Sequence, residues 1–124
     1  MTIIDIKELD ALDEACALRI MKWTVFKRGG IETYEPVGVT VEGFRPTRWV
    51  LDSFKLVDAL KDVSFSLVRN DDKTFTAVFS DRNTAHRATK PTAPHAITVA
   101  ALHYATDVMS EQRGPVGPKS GKTR

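Results

Sequence analysis

"VSFSLVRNDDKTFTAVFSD", Val63 to Asp81, decides the fold. Val63, Phe65 and Leu67 alternate with serines, Asn70 to Lys73 carries turn chemistry, and Phe75, Ala77 and Phe79 alternate back. A period of two on both sides of a polar break is the pattern of a β-hairpin with one apolar face. Such a face must be covered by another layer. The flanking sequence supplies amphipathic helices on both sides.

Downstream, "AHRAT" predicts a further short strand at about Ala85 to Thr89, and "KPTAPHAITVAALHYATDVM" predicts a final helix from about Thr92 to Met109. Thr92 is the expected N-cap, and Pro94 is tolerated in the first turn because its missing N–H would have no helical partner there. Ile97, Ala101, Tyr104 and Val108 form its core stripe, and Ala100 and Ala105 permit close approach to a sheet. Upstream, "PTRWVLDSFKLVDALK" predicts a helix from about Thr47 to Lys61, with Val50, Phe54, Val57 and Leu60 as the buried stripe. Earlier still, Leu9, Leu12, Cys16, Ile20 and Trp23 recur at helical steps, so a first helix is expected from Asp5 to about Thr24. Asp5 would be its N-cap, Glu8 the capping-box partner, and Arg28 to Gly30 its stop. Between the first two helices, Val37, Val39 and Val41 alternate, which suggests one strand or hairpin arm. The expected class is α+β: a mainly antiparallel sheet sandwiched between helices (α/β/α), in the order α-β-α-β-β-(β)-α. Residues 1–109 would form one domain, and 110–124, rich in glycine, proline and basic residues, a flexible basic tail.

The chain of 124 residues has 42% hydrophobic and 27% charged residues and a net charge of +2, the balance of an ordinary globular domain. It has no apolar run long enough to span a bilayer, and its N-terminus lacks the basic-then-apolar order of a secretory signal. Cys16 stands alone, so neither an internal disulfide nor a cysteine-based zinc site can form. No phosphate loop, nucleophile elbow or paired-histidine metal motif is present. His95 and His103 are eight residues apart rather than four, and Asp71 and Asp72 read as turn residues. No metal, cofactor or catalytic set is expected.

Three stretches carry a resemblance. "PTRWVLDSFKLVDAL", then "TFTAVFSD", then "TAPHAITVAALHYA" together resemble the phage ABA sandwich domain family over about residues 9 to 105. A Pro-Ser/Thr opening with a mid-helix aromatic is matched by Pro46, Thr47 and Phe54. The Thr-Ala-Pro opening of an alanine-rich last helix is matched by Thr92, Ala93 and Pro94, and Trp23 matches a tryptophan closing the first helix. The longer Ile31–Phe44 segment and His95, at a usually apolar position, depart from the pattern. The resemblance implies a sheet between helices and a phage origin.

The candidate site residues cluster in the connecting segments. Arg28 and Gly29 follow the first helix, and Arg45, Arg48 and Trp49 open the second. Arg82, Asn83, His86, Arg87, Thr92 and His95 lead into the third. Helix N-termini and arginine forks suit anions, and rings suit stacking, so a phosphorylated, ring-bearing small molecule is the expected ligand. Trp49 at a helix start also serves as a packing anchor. The leading expectation is a non-catalytic phage protein in the host cytoplasm. It would be a homo-oligomer that sequesters a nucleotide immune signal, a cyclic ADP-ribose-type or cyclic oligonucleotide messenger. The alternative is a protein-interaction module that inhibits a host protein or serves phage assembly, with Val37 to Val41 as its apolar surface. Nucleic acid is a poor partner for a nearly neutral body with a short basic tail.

Overall fold

The computed structural model describes residues 6–113, with side chains from 7 to 107. The Asp5 cap, Val108 in the last stripe and the tail from residue 114 lie outside those described residues. The order is α1 (Ile6–Arg19), β1 (Thr24–Arg28), β2 (Ile31–Glu35), β3 (Val39–Thr40), a 3-10 turn (Val41–Gly43), α2 (Val50–Ala59), β4 (Ser64–Arg69), β5 (Phe75–Ser80), β6 (Ala85–Lys90) and α3 (Ala93–Arg113). The strands form two three-stranded antiparallel sheets, β1-β2-β3 and β4-β5-β6. The α+β class, with antiparallel sheets and packed helices, is as the sequence predicts.

The hairpin is as read. β4 pairs with β5 from Ser64 opposite Ser80 to Arg69 opposite Phe75, and β5 with β6 from Phe75 opposite Lys90 to Ser80 opposite Ala85. Asn70 shapes the intervening turn by accepting the Lys73 N–H at its carbonyl, 2.9 Å, while its own N–H reaches the Thr74 carbonyl at 2.8 Å. Ala77 and Phe79 point into the core, with Phe65, Leu67 and Phe75 partly buried beside them. The other face shows Ser64, Ser66 and Val68 of β4 and Ala85, Arg87 and Thr89 of β6, all exposed.

α3 is buried all round, not along one stripe. Residues from His95 through Leu102 are buried without interruption. A helix apolar on every side needs neighbours on every side, and α3 has them: it packs on β5 and β6, and on α1 and α2. Its start is the predicted one. The Thr92 hydroxyl accepts the His95 N–H at 3.4 Å and the Thr92 carbonyl accepts the Ala96 N–H at 3.1 Å. It runs on to Arg113, past the expected end at Met109 and into the segment read as tail.

Three boundaries differ from expectation. α1 ends at Arg19, not Thr24, because Lys22 adopts a left-handed φ of 64° and the Trp23 N–H turns back to the Ala17 carbonyl at 3.0 Å. The glycine pair read as a helix stop is instead a hairpin turn. Gly29 and Gly30, at φ 59° and 81°, reverse β1 into β2, a conformation that two successive positive-φ positions allow. The strand predicted through Val37, Val39 and Val41 is mostly turn. Val39 and Val41 pack against the core and only Val37 is exposed.

α2 buries half of the expected stripe: Val57 and Leu60 pack against the core as predicted, but Val50 and Phe54 do not. Asp52, Ser53 and Leu56 are its buried residues, while Val50, Leu51 and Phe54 are exposed, Leu51 at 78%. The reason is polar. The Asp52 carboxylate accepts the Arg45 N–H at 2.9 Å and pairs with Lys55 at 3.1 Å, which holds that face against the preceding loop.

Candidate functional site

A cleft of about 810 Å3 lies between α1 and the β1–β2 hairpin. α1 contributes Lys7, Asp10, Asp13 and Glu14, one helical step apart or nearly so, which places them on one side. The hairpin contributes Lys27, Glu32 and Tyr34, and the 3-10 turn and the loop after it contribute Glu42 and Arg45. Lys27 and Glu32 face each other across the ladder, as cross-strand partners do.

Tyr34 is the unusual member. Its side chain is fully buried and its hydroxyl has no hydrogen-bond partner among the described residues. Buried polar atoms are nearly always paired. Burial, and then the charges of Glu14 and Asp13, push its pKa up to about 12, so it stays protonated and is a donor as well as an acceptor. The ring is fixed by an aromatic trio: Tyr34 lies 5.7 Å from Trp23 and 6.1 Å from Phe44, and Trp23 lies 5.0 Å from Phe44. Such edge and tilted contacts leave one rotamer for the ring, so the hydroxyl is held in place.

Along one wall runs an ion-pair network. Arg45 Nη1 donates to Asp10 Oδ1 at 2.6 Å. Arg48 Nη2 donates to Asp10 Oδ1 at 2.5 Å and to Asp13 Oδ2 at 2.9 Å. The Thr47 N–H donates to Asp13 Oδ1 at 2.8 Å. The hydrogen bond from Arg48, with the charge of Arg45 behind it, holds the Asp10 carboxyl below its ordinary range. Arg45 also donates Nε to the Glu42 carbonyl at 3.1 Å, while Arg48 Nε is buried without a partner among the described residues.

The structure does not gather the sequence candidates into one place. Arg45 alone lines the cleft. Arg28 lies over the Phe26 ring at 5.1 Å and borders a shallower groove of about 600 Å3 on the outer side of the hairpin, next to the Gly29 turn. Arg48 is bound to Asp10 and Asp13, and Trp49 is half exposed at the start of α2. Arg82 and Asn83 sit in the β5–β6 turn, where the Asn83 N–H donates to Asp81 Oδ1 at 2.8 Å. Arg87 is on the open face of the sheet. Thr92 and His95 are at the opposite end of β6 from Arg82 and Asn83, six strand residues away, roughly 20 Å at 3.3 Å per residue. His95 is buried, and burial followed by the charge of Lys90 lowers its pKa.

His86 has the company of a nucleophilic triad without its wiring. Thr84 Oγ1 is 3.2 Å and Asp107 Oδ2 3.1 Å from the same ring nitrogen, Nε2. A relay needs the base and the orienting carboxylate on different nitrogens. Nearby, the Tyr104 hydroxyl donates to Asp81 Oδ2 at 2.6 Å, the chief reason the Asp81 carboxyl is held low. The Cys16 thiol is fully buried and its pKa is driven upward by that burial, as for an inert core thiol. Among the described residues, no group of three His, Cys, Asp or Glu is placed to hold a metal ion, and no helix is long and apolar enough to cross a membrane.

Sequence reading missed Tyr34 and the acidic cleft, because nothing local marks a tyrosine whose hydroxyl will be stranded by packing. One signal was available: Val25 to Tyr34, with Gly29 and Gly30 between two β-prone arms, is a hairpin pattern.

The phage ABA sandwich domain model matches residues 14–102, most of the described fold. The chain belongs to the phage ABA sandwich domain family. A solved family-like fold is similar: the 2.0 Å crystal structure of a phage protein from Bacillus cereus ATCC 14579, at 15% identity, a TM-score of 0.55, and coverage of 82% of this chain and 93% of that one. No curated protein matches the chain. The match in family and fold makes this a phage protein of the ABA sandwich type.

Proposed function

We propose that this phage protein acts by holding a small molecule in the cleft between α1 and the β1–β2 hairpin, without chemistry on it. The observation that carries the reading is Tyr34 on the wall of an 810 Å3 cleft, its buried hydroxyl without a partner among the described residues. A ligand acceptor would satisfy it and recover the cost of leaving it unpaired. Around it, Glu14, Glu32 and Glu42 can accept from ligand hydroxyl or amino groups, and Lys7, Lys27 and Arg45 can meet an anionic group. Five carboxylates against three basic side chains favour a molecule rich in hydroxyl and amino donors and sparing in phosphate. A nucleotide immune signal of the host, sequestered in the host cytoplasm, is the finer form of this reading. A cyclic ADP-ribose isomer, with two ribose rings and an adenine amine, suits the cleft better than a cyclic oligonucleotide with a phosphate at every residue.

The test is mass spectrometry of small molecules released from the purified protein, followed by calorimetry with cyclic ADP-ribose isomers, cyclic di- and trinucleotides and the released compound. Binding that weakens about tenfold in Tyr34→Phe supports the reading, the size expected for one lost buried hydrogen bond. No released compound and no heat with any of these probes overturns it.

A further inference from the structure

Four strand edges are open among the described residues: β1, β3, β4 and β6. Exposed edges template pairing with other chains, and proteins guard them with charge, proline or shortness. β1 carries Lys27 and Arg28. β3 is two residues long. β6 carries Arg87 and Lys90 and is followed by Pro91. β4 has six residues, Ser64 to Arg69, with no charge before the last and no proline.

β4 is also the edge beside the exposed face of α2. Phe54, on that face, meets Phe65 of β4 edge-on at 6.0 Å. Trp49, Val50, Leu51 and Phe54 are all exposed, at 51%, 44%, 78% and 41%. Four large apolar residues within one and a half turns form a patch of the kind that marks an interface. An unguarded strand edge and an unpartnered apolar helix face thus run side by side.

We infer that this double edge is a homodimer interface. β4 pairs antiparallel with β4 of a second copy to make one six-stranded sheet, and the two α2 helices meet over the join. A second copy fits because each part of the surface complements itself: strand edge with strand edge, apolar helix face with apolar helix face. Ser64 to Val68 carry no charge, and the exposed side of α2 beyond Phe54 carries Lys55 and Asp58, one of each sign, so the surface two copies would share has no net charge of its own. Stable homodimers bury roughly 800 Å2 on each partner, more than one strand edge or one short helix face supplies alone. The geometry also sets the register. For the two α2 helices to lie on the same side, like faces must align, so Phe65 and Leu67 oppose each other or themselves, and Ser64, Ser66 and Val68 likewise.

The experiment measures molar mass by light scattering and sedimentation across a concentration series for the full chain, Leu51→Glu and Val68→Lys. Both residues are exposed, so both variants keep the fold, checked by circular dichroism. Dimeric wild type, with each variant weakening dimerisation by about tenfold or more, supports the interface. A wild-type monomer at every concentration, or a dimer that either variant leaves intact, overturns it. Neither residue lines the cleft, so ligand binding by the monomeric variants is read independently of this result.

Discussion

A carboxylate exposed to only 2% of its surface persists in a fold when its oxygens are satisfied, and both oxygens of Asp13 are: Oδ1 by the Thr47 N–H and Oδ2 by Arg48. That one side chain ties α1 to the loop that opens α2. Removing it leaves Arg48 half-buried and the Thr47 N–H without its acceptor. Asp13→Ala should cost about 3 kcal/mol, the low end for a broken buried pair because Arg48 is still partly wet, read as a drop in urea midpoint. His95 makes a second prediction at this scale. Its folded pKa lies below its ordinary value of 6.5, so the unfolded chain takes up the proton first as pH falls. Its stabilising contribution is complete above 6.5 and is lost as pH drops from there toward the lowered folded value. Melting temperature measured from pH 7 to pH 5 should fall, and His95→Gln should flatten that part of the curve.

The elements show where pattern is enough and where it is not. The β4–β5 hairpin was legible residue by residue, since alternation records a one-sided burial that strand geometry enforces. Lys73 closes its turn with φ 71°, a conformation that costs a side chain roughly 1 kcal/mol. Lys73→Gly should therefore stabilise the protein by up to about 1 kcal/mol in denaturant titration, less what glycine adds to the unfolded state's freedom. The α3 start was legible too, and Thr92→Ala should cost about 0.5–1 kcal/mol, a modest loss because the capping contact is long at 3.4 Å. α2 was read correctly as a helix and in its second half, where Val57 and Leu60 reach the core, but not in its first. Val50 and Phe54 have the right spacing for a core, but the loop before the helix is held by Asp52, and that bond turns the first turn outward. An apolar stripe records that something covers it; it does not record whether the cover is the same chain.

For the whole molecule, the β1–β2–β3 sheet is joined to the rest through Trp23, Tyr34 and Phe44. Phe44 is fully buried, and Phe44→Ala should cost roughly 3–5 kcal/mol. It should also shift Trp23 emission to the red as the trio loosens, and weaken ligand binding with it, because Tyr34 loses the packing that aims its hydroxyl. The amino-acid sequence by itself determined the three helices, the β4–β5 hairpin, the start of the last helix and the family, since these follow from periodicity, capping and local motif within a few turns of chain. Only the tertiary structure decided that the arginines of the connecting segments would be divided among carboxylates, a ring and the open sheet face. It alone placed Tyr34, its hydroxyl buried and unpaired among the described residues, on the wall of an acidic cleft, and an apolar helix face beside an unguarded strand. Each of those depends on contacts between residues tens of positions apart, such as Asp10 with Arg48 or Trp23 with Phe44, and no local pattern encodes which distant partner a side chain will meet.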